Sequence, residues 1–156
     1  MGYMMAKRVN LALQTMDLAE DLDDATRARR TAELRFLRAL GYFEGMRVFG
    51  PYIPWVDDTF EENNPLVHND KDIYENVIAD VDAAIAGLPE TLADADAGQI
   101  GRANLWAAKA LKAKIMMYRK DLKGAKPILK DVLENGINAS GVALGLEDYI
   151  YNNFNA

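Results

Sequence analysis

Ala32-Glu33-Leu34-Arg35-Phe36-Leu37-Arg38-Ala39-Leu40-Gly41-Tyr42-Phe43, with Gly50-Pro51-Tyr52-Ile53-Pro54 close behind, is the stretch on which the fold turns. Ala32, Phe36, Ala39, Leu40, Phe43 and then Met46 recur at three- and four-residue steps, which puts them on one face of an α-helix. Gly50-Pro51 ends that helix, because proline cannot donate the next backbone hydrogen bond. The expected helix covers residues 25–49.

A second segment repeats the wording. Ala32, Leu34, Ala39 and Leu40 return as Ala103, Leu105, Ala110 and Leu111, an offset of 71 residues. That is close to two units of about 34 residues, the period of tetratricopeptide helix pairs. The expected fold is all-α, with tetratricopeptide-like antiparallel helix pairs stacked in a short right-handed solenoid. Function is then expected on a surface built by packed helices, and no catalytic cluster stands out.

Outward from the central helix, the pattern continues in both directions. A first helix is expected over residues 3–22, with Met5, Val9, Ala12, Leu13, Met16 and Ala19 on one stripe. The acidic group Asp17, Glu20, Asp21, Asp23 and Asp24 follows; it reads as a cation site or, more simply, as a helix cap with solvated neighbours. Residues 50–69 carry Pro51, Pro54 and Pro65 and form a long ordered loop. Asp70 or Asp72 opens the third helix, Asp72 and Glu75 make a capping-box-like pair, and Ile73, Val77, Val81, Ala84, Ile85 and Leu88 supply its apolar stripe.

The fourth expected helix, residues 102–119, is apolar around most of its circumference and so belongs between neighbours. Lys109, Lys112, Lys114 and Arg119 interrupt it, with stems able to cover apolar surface. A fifth helix buries Ala125, Ile128, Leu129, Val132 and Leu133 and stops at Gly136. Pro127 places its regular start near Lys126. Leu146, Tyr149, Ile150 and Phe154 suggest a short final helix in the tail.

Composition narrows the function. The chain has 156 residues, is 50% hydrophobic and carries a net charge of −6. That length and content suit one domain, or one structural half of a larger protein, with a helical core. The acidic balance argues against a nucleic-acid partner, which needs clustered Lys and Arg. Cysteine is absent, which removes disulfides, thiol catalysis and thiolate metal sites. No apolar run approaches the ~20 residues of a membrane-spanning helix. The chain as given reads as soluble, without a signal segment or lipobox cysteine.

No cofactor and no metal site are expected, and no catalytic residues are named. The single histidine, His68, lies in a Pro/Asn-rich loop and the single serine, Ser140, in the tail, so neither is placed for nucleophilic catalysis. A glycosidase-type carboxylate pair finds no support in the helix-face and cap positions of the acids. Asp94 and Asp96 begin like a calcium loop, but Gly98 stands where a third oxygen ligand belongs. Tyr52 and Trp55 are the candidate ligand-binding residues, beside Asp57, Asp58, Asn63 and Asn64. Their rings either present faces on which sugars stack or pin the loop onto the helices. Trp106 reads as core.

Four runs together resemble the SusD/RagB family, the surface glycan-binding lipoproteins of Bacteroidetes-type outer membranes. They are residues 33–54, residues 73–89 from Ile73-Tyr74-Glu75-Asn76, residues 101–114 from Gly101-Arg102-Ala103, and residues 129–136 followed by Tyr149 and Phe154. Family chains are several times longer, and Trp106, Lys112, Lys114 and Pro127 depart from the small or aliphatic residues usual there.

The resemblance implies that residues 1–156 form a single SusD-like helical domain, the tetratricopeptide-like scaffold portion of a longer protein. It implies a non-enzymatic module for glycan capture at the cell surface, with an oligosaccharide ligand and a TonB-dependent transporter as partner. A free-standing tetratricopeptide-like adaptor that binds protein or peptide is the alternative. Apolar faces on the fourth helix and the tail are expected to drive self-association.

Overall fold

A computed structural model describes residues 2–59, 67–92 and 101–146. Five helices follow in order: α1 (Gly2–Asp17), α2 (Asp24–Phe49), α3 (Tyr74–Gly87), α4 (Leu105–Tyr118) and α5 (Leu122–Asn135). Each packs on the next, and α2 also brushes α4. The cross-links join the end of one helix to the start of another: Met16 late in α1 meets Arg27 early in α2, Ala32 early in α2 meets Gly87 at the end of α3, and Lys109 early in α4 meets Asp131 late in α5. Neighbouring helices are therefore antiparallel, as the periodicity predicts. Among the described residues the β-structure is one isolated bridge, Ile137 to Ala143.

The ends of α2 follow from local chemistry. The Asp23 carboxylate accepts the Thr26 N–H at 2.9 Å, and that bond holds its pKa below the usual carboxylate range. At the other end Gly50 takes φ 82° and ψ −179°, a region open in practice to glycine alone, and its N–H donates to the Met46 carbonyl. Between the caps, Ala32, Ala39, Tyr42 and Phe43 are buried. They meet Val77 and Val81 from α3 and Ile115 from α4 in the main core. A Cβ added to Gly87 would lie 2.8 Å from the Ala32 Cβ, so two small residues let α2 and α3 approach closely.

Several boundaries differ from expectation, each for a physical reason. α1 ends at Asp17, not near residue 22, because the Arg27 guanidinium takes the Met16, Ala19 and Leu22 carbonyls and turns the chain there. α3 opens at Tyr74, whose N–H is accepted by Asp72, and no capping bond from Glu75 accompanies it. α4 begins at Leu105 because Asn104 is the cap: its Oδ1 accepts the Ala107 N–H, and its Nδ2 donates to the Glu90 and Ile137 carbonyls.

α5 starts at Leu122, capped by Asp121, with Pro127 inside the helix and not near its start. Pro127 and Lys123 are both exposed, so water can take the Lys123 carbonyl that the proline leaves without a partner. Gly136 stops α5 with an ordinary backbone angle, φ −66°; a side chain there would collide with the Val132 carbonyl. Leu133 is 50% exposed, against the expected burial. Residues 137–144 form a tight turn that docks through Leu92 N–H on the Ala139 carbonyl. Tyr149, Ile150 and Phe154 lie outside the described residues.

Candidate functional site

The loop that follows α2 is held by the most buried charged group among the described residues. Arg38 sits on the core side of α2 and is 1% exposed. Its guanidinium grips Asp80 of α3 side-on, Nε donating to Oδ2 at 2.6 Å and Nη2 to Oδ1 at 2.9 Å. Nη1 donates to Asn10 of α1 at 2.9 Å and to Asp58 of the loop at 2.6 Å. Arg35, one turn earlier, adds a bond to Asp80 at 3.0 Å and an ion pair with Asp58 at 3.5 Å. Planar forks of this kind suit carboxylates better than a lysine would.

The loop is tied at its backbone as well. Tyr42 donates its phenolic O–H to the Val56 carbonyl and accepts the Val56 N–H, at 2.9 and 2.7 Å. Asn10 Nδ2 reaches the same carbonyl at 3.0 Å, and Gln14 donates to the Asp58 carbonyl at 2.8 Å. Burial pushes the Tyr42 phenol up to about 12. For Asp58, burial pushes upward but the Arg38 and Arg35 guanidiniums outweigh it, leaving the carboxyl below the usual range. Burial likewise pulls Arg38 down, and Asp80 and Asp58 more than restore it.

Tyr52 and Trp55, the sequence-predicted pair, have different settings. Tyr52 is 56% exposed. Trp55 is half-buried: its ring lies 4.4 Å from that of Tyr42 at an interplanar angle of 33°, with the Arg38 guanidinium 5.2 Å from its centroid. The indole N–H donates to Asp57 at 3.1 Å, and Asp57 also accepts from the Thr59 N–H and hydroxyl. Burial raises the Asp57 pKa, but the Thr59 and Trp55 donors carry it below the ordinary value. One face of Trp55 therefore serves packing, while Tyr52 faces solvent.

Other candidates are placed as follows. Trp106 is buried, with the Lys109 ammonium 4.4 Å from its ring centroid. His68 and Ser140 are both exposed. Of the acids between 17 and 24, Asp23 acts as a cap, and no group of three metal-ligating side chains occurs among the described residues. Asn63, Asn64, Asp94 and Asp96 lie outside the described residues. Sequence reasoning missed the Arg38 cluster. Its signal was present: Asp80 falls beside Val77, Val81 and Ala84 on the apolar stripe of α3, where a charge needs a partner.

No family model matches the chain. A SusD-like protein of Bacteroides ovatus is 30% identical over 144 residues, which span 84% of this chain and 25% of that protein. Surface glycan-binding protein A of Bacteroides uniformis superposes with a TM-score of 0.74 at 26% identity, over 86% of this chain and 30% of that one. Surface glycan-binding protein A of Bacteroides thetaiotaomicron, in complex with laminarihexaose, gives a TM-score of 0.66 at 26% identity, over 84% and 27% of the two chains. The chain is thus similar in sequence and in helical fold to SusD-like proteins, and it spans about a quarter of the length of the curated relative it matches.

Proposed function

We propose that this chain, SusD-like over 84% of its length, is the helical scaffold portion of a protein that captures glycan at the cell surface and seats on an outer-membrane transporter. The observation that carries the reading is the likeness to a relative solved with laminarihexaose bound, matched across all but a small part of this chain. The role is one of binding, not of bond cleavage. No described helix is long and apolar enough to cross a membrane.

Within this chain, Tyr52 and Trp55 are the residues assigned to the sugar. The Arg38 cluster fixes the loop that bears them, so the loop can meet a ligand with little ordering cost. Exposed apolar side chains support a second element, self-association or docking to protein. They stand on α1 and just after it (Leu11, Leu18), at the end of α2 (Val48, Phe49) and on the tail (Val142, Leu146), whereas α4 exposes mainly its last turn.

Calorimetric titration of the chain with laminarihexaose tests the reading. Saturable binding at millimolar affinity or better is expected, weakened several-fold by Tyr52→Ala while the melting temperature stays unchanged. Absence of binding, together with recovery of a stoichiometric protein partner, would favour the adaptor reading instead. Sedimentation at high concentration reads the self-association directly; a monodisperse monomer would refute that element.

A further inference from the structure

α2 and α4 finish side by side, and their last turns expose a second aromatic ring. Tyr118, the final residue of α4, is 55% exposed. Its hydroxyl accepts from Arg47 Nε, in the last turn of α2, at 3.1 Å. Its ring stands edge-on to the buried Phe43 with centroids 5.2 Å apart. Lys120 fixes this end of α4: at φ 63° it lies in the left-handed region, and its N–H donates to the Met117 carbonyl at 2.9 Å.

Between the two helix ends is a notch of about 140 Å³, floored by the buried Phe43 and Ile115 and rimmed by Arg47, Pro51, Tyr118 and Arg119. It has room for the edge of one ring-sized group and falls below the roughly 300–1,000 Å³ of a drug-sized pocket. Tyr52 follows Pro51 directly, so the notch adjoins the loop position assigned to the sugar.

The charges on the rim come in pairs. Arg47 Nη1 donates to both oxygens of Glu44, at 2.9 and 2.8 Å, and Arg119 Nη1 pairs with Asp72 at 2.8 Å. Both arginine side chains are more than a third exposed, and neither Nη2 has an acceptor among the described residues. An anion gains little from guanidiniums that are already neutralised, and a purely apolar group would cover donors without pairing them. A hydroxylated ring suits both features. Neighbouring hydroxyls can accept from the free N–H groups and donate to Glu44 and Asp72, while a C–H face lies on the Tyr118 ring.

We infer that the sugar site continues from Tyr52 past Pro51 to Tyr118, which takes a further ring of a neutral oligosaccharide, its hydroxyls held by the Arg47–Glu44 and Arg119–Asp72 pairs. This extension rests on the proposed glycan role and adds residues from α2, α3's approach and α4 to it.

Calorimetric titration of the 156-residue chain with laminarihexaose tests the extension in Tyr118→Ala and Arg119→Ala. Each is expected to weaken binding about fivefold or more. Arg119 stands outside the core, so its variant should keep the original melting temperature even where loss of the Tyr118 ring from Phe43 lowers it. Hexagalacturonate, of the same number of rings but charged on each, is expected to bind no tighter than laminarihexaose. Unchanged laminarihexaose affinity in Arg119→Ala, or in a folded Tyr118→Ala, would overturn the extension; if Tyr52→Ala still weakens binding, the wider glycan reading stands. Tighter binding of hexagalacturonate, lost in Arg119→Ala, would overturn the neutral ligand. Absence of laminarihexaose binding by the unaltered chain would overturn the extension and the wider reading together.

Discussion

Replacing Arg38 by methionine keeps most of the stem volume and deletes the guanidinium. Four hydrogen bonds go with it, two to Asp80 and one each to Asn10 and Asp58. Asp80 is 3% exposed, so its charge cannot simply be rehydrated. Removing one partner of a buried pair typically costs about 3–5 kcal/mol. Arg35 still reaches Asp80 at 3.0 Å and can carry part of the load, which places the expected loss near the lower bound, about 3 kcal/mol. Against a total stability on the order of 5–15 kcal/mol, that is a large fraction.

Urea unfolding followed by circular dichroism should show the midpoint falling with little change in slope, and the melting temperature should drop by roughly 6–12 °C. The double variant Arg38→Met with Asp80→Leu removes both charges, and it should recover most of the loss, since an apolar pair of similar shape is often neutral. A loss below about 1 kcal/mol in the single variant would refute the reasoning, as would a double variant as unstable as the sum of its parts.

Further outcomes follow from the same geometry. Gly87→Ala gains about 1 kcal/mol in helix propensity but forces the α2–α3 contact apart, so a net loss of about 1–2 kcal/mol is expected, relieved by Ala32→Gly in the same chain. Tyr42 stays protonated in the fold up to about 12, whereas an unfolded tyrosine ionises near 10. The unfolded chain therefore loses that proton first, and stability should fall between pH 10 and 12 by about 2–3 kcal/mol, an effect absent in Tyr42→Phe.

Asp58 works in the opposite direction. Its lowered pKa contributes stability above the ordinary carboxylate value of about 4, lost as the pH falls through its lower folded value; acid titration of unfolding should be shallower in Asp58→Asn. Trp55→Ala uncovers Tyr42 and Arg38 and should cost roughly 2 kcal/mol, whereas Tyr52→Ala should leave the melting temperature unchanged.

The helices were legible because their buried faces are written in period: Ala32, Ala39 and Phe43 on α2, Val77, Val81 and Ala84 on α3. Their ends were less legible. Asn104 as a cap, the grip of Arg27 on three carbonyls and the tolerated Pro127 all depend on what lies near in space. The candidate site was legible as a loop with two aromatic residues, but the division of labour between them was not. The packing of Trp55 is set by Tyr42 and Arg38, and nothing in the spacing of the loop carries that information. Arg38 owes its burial to Asp80, a partner 42 residues away across the helix pair.

A stack of helices in chain order would ordinarily melt one layer at a time, since each layer answers only to its neighbours. The guanidinium at position 38 alters that for the first three helices. It becomes dry only when segments around residues 10, 58 and 80 have all arrived, so an assembly with any one missing strands a charge. Hydrogen exchange should then find α1, α2 and α3 opening together, while α4 and α5, joined to them by apolar contact, surface ion pairs and the Asn104 hydrogen bond to the Glu90 carbonyl, open by a separate and cheaper route.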